Sequence, residues 1–166
     1  TKIATAGSCF AQHIARYLQT IGDNYLVTER GHTKLNNQIR SAYNFGTFTA
    51  RFGNIYTTKQ LLQLFDRAYG HFHPSEQPWG SSEALIDPFR PNIQPKGFTS
   101  QVEFDRDRAA HFAAVRAMFE TMDVFVFTLG LTEGWRTKAD KAMLPVCPGC
   151  GAGGDFDPEK YEFVNE

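Results

Sequence analysis

The stretch Ile3-Ala4-Thr5-Ala6-Gly7-Ser8-Cys9-Phe10-Ala11 constrains this chain more than any other, because a short apolar run breaks at a glycine and passes directly into a helical pattern. Ile3, Ala4 and Ala6 read as a small buried strand. Phe10, Ile14, Leu18 and Ile21 then recur at helical spacing with Tyr17 beside them, which predicts a helix with one apolar face. A serine at this junction has its hydroxyl at the strand's carboxyl end, beside the unpaired N–H groups and positive pole of the helix. Two roles are open to Ser8: the N-cap of the helix, a position serine often fills, or a nucleophile whose developing negative charge the helix stabilises.

A second junction of the same kind lies far along the chain. Asp123-Val124-Phe125-Val126-Phe127-Thr128 is a run of strand formers without alternation, which predicts a strand covered on both faces in a parallel sheet between helix layers. It ends in Leu129-Gly130-Leu131-Thr132-Glu133-Gly134, a glycine turn at a strand's carboxyl edge, where open α/β sheets place their ligands. A long helix from about Asp107 to Met122, with Ala110, Val115, Met118 and Phe119 on its apolar face, leads into this strand.

Between the two junctions, Gly22-Asp23-Asn24 reads as a turn and Tyr25-Leu26-Val27-Thr28 as a short strand. Residues 29–50 show no period and read as a long irregular surface segment. Thr57 and Gln60 have the spacing of a capping box, so a helix is expected from there to Gly70 with Leu61, Leu62, Leu64, Phe65, Ala68 and Tyr69 on its apolar side. Residues 71–98, with five prolines, read as an inserted excursion. His71 and His73 would share one face of an extended chain with Glu76 nearby, a metal half-site that nothing completes. His32 reads as a solvated loop histidine.

With 166 residues and 42% hydrophobic content, the chain suits one domain with a real core. A net charge of −1 without a basic run leaves no footprint for nucleic acid. No stretch approaches a membrane span and the start carries no signal-peptide pattern, which reads as a soluble domain. Three cysteines do not form a secreted disulfide framework, which favours a reducing, cytoplasmic compartment. The chain opens without Met, as it would had its natural N-terminus been removed with any targeting signal. Cys147-Pro148-Gly149-Cys150 offers one C-x-x-C, the basis of a weaker redox or metal reading, or else a glycine-rich loop with incidental thiols.

Gly7-Ser8-Cys9-Phe10-Ala11 spells the letters that name the GSCFA domain family. Phe52-Gly53-Asn54-Ile55-Tyr56-Thr57, Asp87-Pro88-Phe89-Arg90 and Phe127-Thr128-Leu129-Gly130-Leu131-Thr132-Glu133-Gly134-Trp135 extend the likeness from residue 1 to about 160, so the chain resembles that family. The family is similar to the SGNH (GDSL-like) hydrolases, serine esterases and acyl-group enzymes. The resemblance implies an α/β, three-layer α/β/α, flavodoxin-like fold and a serine-dependent ester hydrolase or acyltransferase. Its substrate would be a small-molecule, glycan or lipid ester, with no metal or organic cofactor required.

Carried over residue by residue, the resemblance gives Ser8 as the nucleophile and Gly53 as the oxyanion-hole glycine. Thr132 falls at the position where the hydrolases carry asparagine. A threonine hydroxyl donates one hydrogen bond and is shorter than an amide, so the hole would be weaker or differently shaped. The expected Asp-x-x-His-like segment for the general base is absent: His13 and His111 lie in helices, and His32, His71 and His73 in loops. Residues 1–166 are therefore expected to be a single GSCFA-type domain that is incomplete, lacking its last strands and catalytic histidine, and inactive alone. The alternative, motivated by Thr132, is a non-catalytic binding module on the same fold.

Overall fold

The computed structural model describes residues 1–22 and 24–165. It contains seven strands and four helices among the described residues: β1 (Ile3–Gly7), α1 (Cys9–Ile21), α2 (Asn37–Ala42), α3 (Thr58–Ala68), β2 (Trp79–Ser81), β3 (Ala84–Ile86), α4 (Gln101–Thr121), β4 (Val124–Thr128), β5 (Glu133–Thr137), β6 (Met143–Leu144) and β7 (Tyr161–Asn165). The chain thus mixes helices with small sheets, as an α/β chain does. Of the expected Gly22-Asp23-Asn24 turn, Asp23 lies outside the described residues.

β1 and β4 pair in parallel from Ile3 opposite Val124 to Gly7 opposite Thr128. Backbone bonds from Ile3 N–H to the Asn24 carbonyl and from Leu26 N–H to the Ile3 carbonyl add a parallel bridge at Tyr25, to which the expected third strand is reduced. β2 and β3 form an antiparallel hairpin, and β5 pairs antiparallel with both β6 and β7.

The helices pack where the side chains are small. Ala4 and Ala6 of β1 are buried, and α1 meets the strand through buried Ala11 and Ala15. The expected apolar face of α1 is corrected in part: Ile14 and Leu18 are half-buried beside the alanines, but Phe10 is 64% and Ile21 61% exposed, because alanine on both partners lets the helix approach by its narrow side. β4 is likewise not covered on both faces. Val124 is 43% exposed and the rest half-buried, and β1 is the one strand paired with β4 among the described residues.

Phe48, Phe52, Ile55, Leu64, Val115 and Met118 complete the main core beside β1. Burying each such side chain contributes about 2 kcal/mol. Helix α4 starts six residues before the expected point, because Ser100 caps it through the Glu103 N–H and Glu103 reaches back to the Thr99 N–H and hydroxyl.

Behind this core lies a chain of buried charges. The Arg51 guanidinium bonds Asp107 at 2.8 Å and the Ile93 and Tyr43 carbonyls; Arg90 bonds both Asp87 at 2.9 Å and Asp107 at 2.8 Å. Glu29 accepts from the Arg51 N–H at 2.7 Å and from His111 Nδ1–H at 2.8 Å. These links fix residues 87–93 and the residues just before Gly53 against α4.

Candidate active site

The register of the parallel pair sets the site. Gly7 lies opposite Thr128, with φ at +143°, and an added Cβ would overlap Thr128 Oγ1 and fall 2.7 Å from the Thr128 carbonyl oxygen. Only glycine permits this approach. Beyond Gly7 the chain turns at Ser8, whose extended backbone makes it the N-cap of α1, its Oγ accepting from the Phe10 N–H at 3.3 Å. Ser8 is half-buried, and Gly130 packs on it: a Cβ on Gly130 would lie 3.3 Å from Ser8 Cβ.

The segment Gly53–Tyr56 is stitched between the ends of the two strands. Ile55 N–H donates to the Gly7 carbonyl at 2.8 Å, while the Tyr56 carbonyl accepts from Gly130 N–H at 3.3 Å and Leu131 N–H at 3.0 Å. Thr57 then caps α3, its hydroxyl accepting from the Gln60 N–H at 3.1 Å, while the Gln60 side chain reaches one residue further back, to the Tyr56 N–H at 2.9 Å. Three chain segments of distant sequence thus meet at one carboxyl edge.

Gly53 adopts φ +75° with open space around it and lines a cavity of about 140 Å³ shared with Gln12, Asn54, Tyr56, Arg90 and Asn92. Thr132 is exposed and lines a different hollow, of about 480 Å³, with Thr57, Leu129 and Gly130. Ser8 therefore touches the Gly130 turn, Gly53 sits on the segment bonded to Gly7, and Tyr56 lies between the two hollows.

Two polar groups at this edge escaped the sequence reading. Asn54 accepts from Gln12 Nε2 at 3.0 Å and donates one amide N–H to the Tyr56 hydroxyl at 3.1 Å, which leaves its second amide N–H for the cavity. Its signal was its place directly after Gly53. Thr128 Oγ1, over Gly7, is buried and has no hydrogen-bond partner among the described residues. Arg90 Nη1 is in the same condition beside the Gly53 cavity.

No histidine hydrogen bonds Ser8 among the described residues. His13 is exposed on α1 with its ring 6.4 Å from that of Phe10, and His32 Nδ1 accepts from the Lys34 N–H. His111 is 1% exposed and spent on Glu29. Burial, then the charge of Arg90, lowers its pKa to about 4 against the pull of Glu29, so it is neutral at pH 7. Burial alone would raise the Glu29 carboxyl, yet the His111 bond and neighbouring donors bring it down to about 2.

The residues of the possible metal half-site serve other partners. His71 lies 3.8 Å from Asp66, His73 faces the Gly70 carbonyl, and Glu76 accepts from Trp79 Nε1, Tyr161 Oη and Lys160 Nζ. No group of three or more metal-ligating side chains forms among the described residues. Cys147 and Cys150 are free thiols in a turn closed by a bond from Cys150 N–H to the Cys147 carbonyl. Burial and the neighbouring Cys150 push the Cys147 thiol up, the opposite of the lowered thiol a redox C-x-x-C uses. No helix among the described residues is long and apolar enough to cross a membrane.

Comparison with known proteins gives no match among curated proteins and none among solved structures. The profile of the GSCFA family, by contrast, matches residues 2–165, a span that takes in the Ser8 junction, the Gly53–Tyr56 segment and the Gly130 turn, and the chain belongs to the GSCFA family.

Proposed function

We propose that Ser8 is the nucleophile of an ester hydrolase or acyltransferase. The observation that carries this is the register Gly7–Thr128, which sets Ser8 at the carboxyl edge shared by both parallel strands, at a helix N-terminus and against the Gly130 turn. In this proposal β1 and β4 are central strands of an SGNH-like three-layer sheet.

Ser8 Oγ attacks the ester carbonyl, a base takes its proton, and the carbonyl oxygen becomes an oxyanion held by the Ser8 and Gly53 N–H groups with Thr132. Asn54 adds a candidate donor through its free amide N–H. Collapse of the tetrahedral intermediate expels the alcohol, which receives the proton, and water or a second alcohol resolves the acyl-serine. The Gly53 cavity, with the amides of Gln12, Asn54 and Asn92 on its wall, takes a small polar part of the substrate. No histidine hydrogen bonds Ser8 among the described residues, and in this proposal the base comes from outside them.

The second reading is a binding module without turnover, favoured by the engagement of Ser8 Oγ as a cap and the exposure of Thr132. Hydrolysis of p-nitrophenyl acetate by the full-length protein separates the two. The enzyme reading expects turnover that falls at least about 1,000-fold in Ser8→Ala. Turnover unchanged in Ser8→Ala rejects Ser8 as nucleophile, and a folded wild type without turnover favours the binding module.

A further inference from the structure

Between α3 and α4 lies a cleft of about 530 Å³ lined by Arg67, Arg108 and Arg116 together with Tyr69, Phe72 and Phe112. Arg108, Phe112 and Arg116 are spaced i, i+4, i+8 and share one face of α4. The two arginines stand about 12 Å apart along the axis, and both line the cleft. Arg67 enters from α3, its guanidinium carbon 3.8 Å from the centre of the Phe89 ring and 5.2 Å from that of Phe112.

These three cations are short of partners. None forms an ion pair among the described residues, and the one hydrogen bond they make to protein is that of Arg116 Nη1 to the Ala68 carbonyl. Arg108 Nε and Nη2 are buried without partners, while its guanidinium carbon lies 4.3 Å from the centre of the Phe104 ring. The nearby carboxylates have other partners: Asp87 bonds Arg90 at 2.9 Å, Glu76 on the cleft wall bonds Lys160 at 3.1 Å with Trp79 and Tyr161, Asp105 accepts from Gln101 at 2.9 Å and Glu120 from the Tyr69 hydroxyl at 3.0 Å, while Asp87 and Asp105 still act on Arg108 through space.

Burying a guanidinium without a counter-charge is costly, and a bound anion offsets that cost. Burial already lowers the Arg67 pKa to about 9, with Arg108 and Arg90 adding to it against Asp87. The cleft therefore offers three positive charges, forked donors suited to phosphate geometry, and aromatic walls.

We propose that the cleft between α3 and α4 is a binding site for the tetrahedral oxyanion of a small organic molecule, a phosphate or sulfate monoester, held by Arg67, Arg108 and Arg116 with its organic part against Phe72 and Phe112. The site is separate from Ser8 and stands whether or not Ser8 is catalytic. Its volume exceeds that of an inorganic ion, so the bare ion fills only the arginine end.

The test is isothermal titration at fixed ionic strength with sodium phosphate, sodium sulfate, phenyl phosphate and, as controls, sodium acetate and chloride. Saturable binding of phosphate and sulfate is expected, with phenyl phosphate at least about tenfold tighter through its ring. Arg116→Gln and Arg108→Gln should each weaken phenyl phosphate about tenfold or more while circular dichroism stays native. Arg116→Gln also removes the bond to the Ala68 carbonyl, so its native circular dichroism is checked before its binding is read. Phosphate and sulfate binding no better than acetate or chloride overturns the proposal, as does phenyl phosphate binding unchanged in folded Arg116→Gln. Binding of inorganic phosphate alone, with phenyl phosphate no tighter, overturns the monoester assignment.

Discussion

His111→Gln should remove a block of pH-dependent stability that the structure assigns to one buried ring. His111 is 1% exposed, donates to Glu29, and leaves Nε2 buried without a partner, so the folded state has no place for a second proton. The groups around it are Glu29, Arg51, Asp87, Arg90 and Asp107, and the charge of Arg90 opposes protonation. Its pKa falls from 6.5 to about 4 on folding. A depressed pKa means that the unfolded chain binds the proton more readily. The associated stability is complete above pH 6.5 and is lost as pH falls toward 4. Each pKa unit is worth about 1.4 kcal/mol, so about 2 kcal/mol should have gone by pH 5 and about 3 kcal/mol by pH 4.

Urea unfolding at pH 7.5, 6.5, 5.75 and 5 measures this above the range in which Glu29 titrates. The wild type should lose about 2 kcal/mol more than His111→Gln across that interval, and His111→Gln should be the less stable protein at pH 7.5. Parallel pH profiles for the two proteins would show that His111 titrates equally in both states and would refute the assignment.

Gly7→Ala should destabilise the fold by about 3 kcal/mol or more, because the new Cβ collides with the Thr128 backbone at a φ that L residues rarely adopt, and thermal unfolding would show it as a large drop in Tm. A loss below about 1 kcal/mol would mean that the β1–β4 contact yields easily. Residues 1–166 alone should show only trace hydrolysis of p-nitrophenyl acetate, since no histidine hydrogen bonds Ser8 among the described residues; robust turnover abolished by Ser8→Ala would place the base within this segment.

Where the sequence was legible, short-range chemistry carried the information. The strand–Gly–Ser–helix junction and the Thr57–Gln60 capping spacing depend on neighbours a few residues apart, and both are present. Ser100–Glu103 is the same kind of signal, overlooked behind the proline-rich stretch, and reading it would have placed the start of α4. Helical periodicity gave α1 its length and, through Ile14 and Leu18, part of its buried side, but not the exposure of Phe10 and Ile21. Spacing does not register that Ala11 and Ala15 fit an alanine strand more closely than Phe10 can.

What stayed hidden depends on distant partners. Glu76 looked like half a metal site because its true partners, Lys160 and Tyr161, are more than 80 residues away. The three-residue strands of the Trp79–Ile86 hairpin are too short for any period to show. The arginine cleft needs α3 and α4 side by side before Arg67, Arg108 and Arg116 share a space. At the site, Ser8 and Gly53 were nameable from their motifs, whereas Asn54 gains meaning only from its bonds to Gln12 and Tyr56.

The most direct test of the central claim is covalent labelling of the full-length protein by a fluorophosphonate, with the adduct located by peptide mass spectrometry. An activated serine displaces fluoride and keeps the phosphonyl group. The account predicts one adduct, on Ser8, lost in Ser8→Ala without loss of folding; a folded protein that stays unlabelled, or one labelled on another residue with Ser8 untouched, would contradict it.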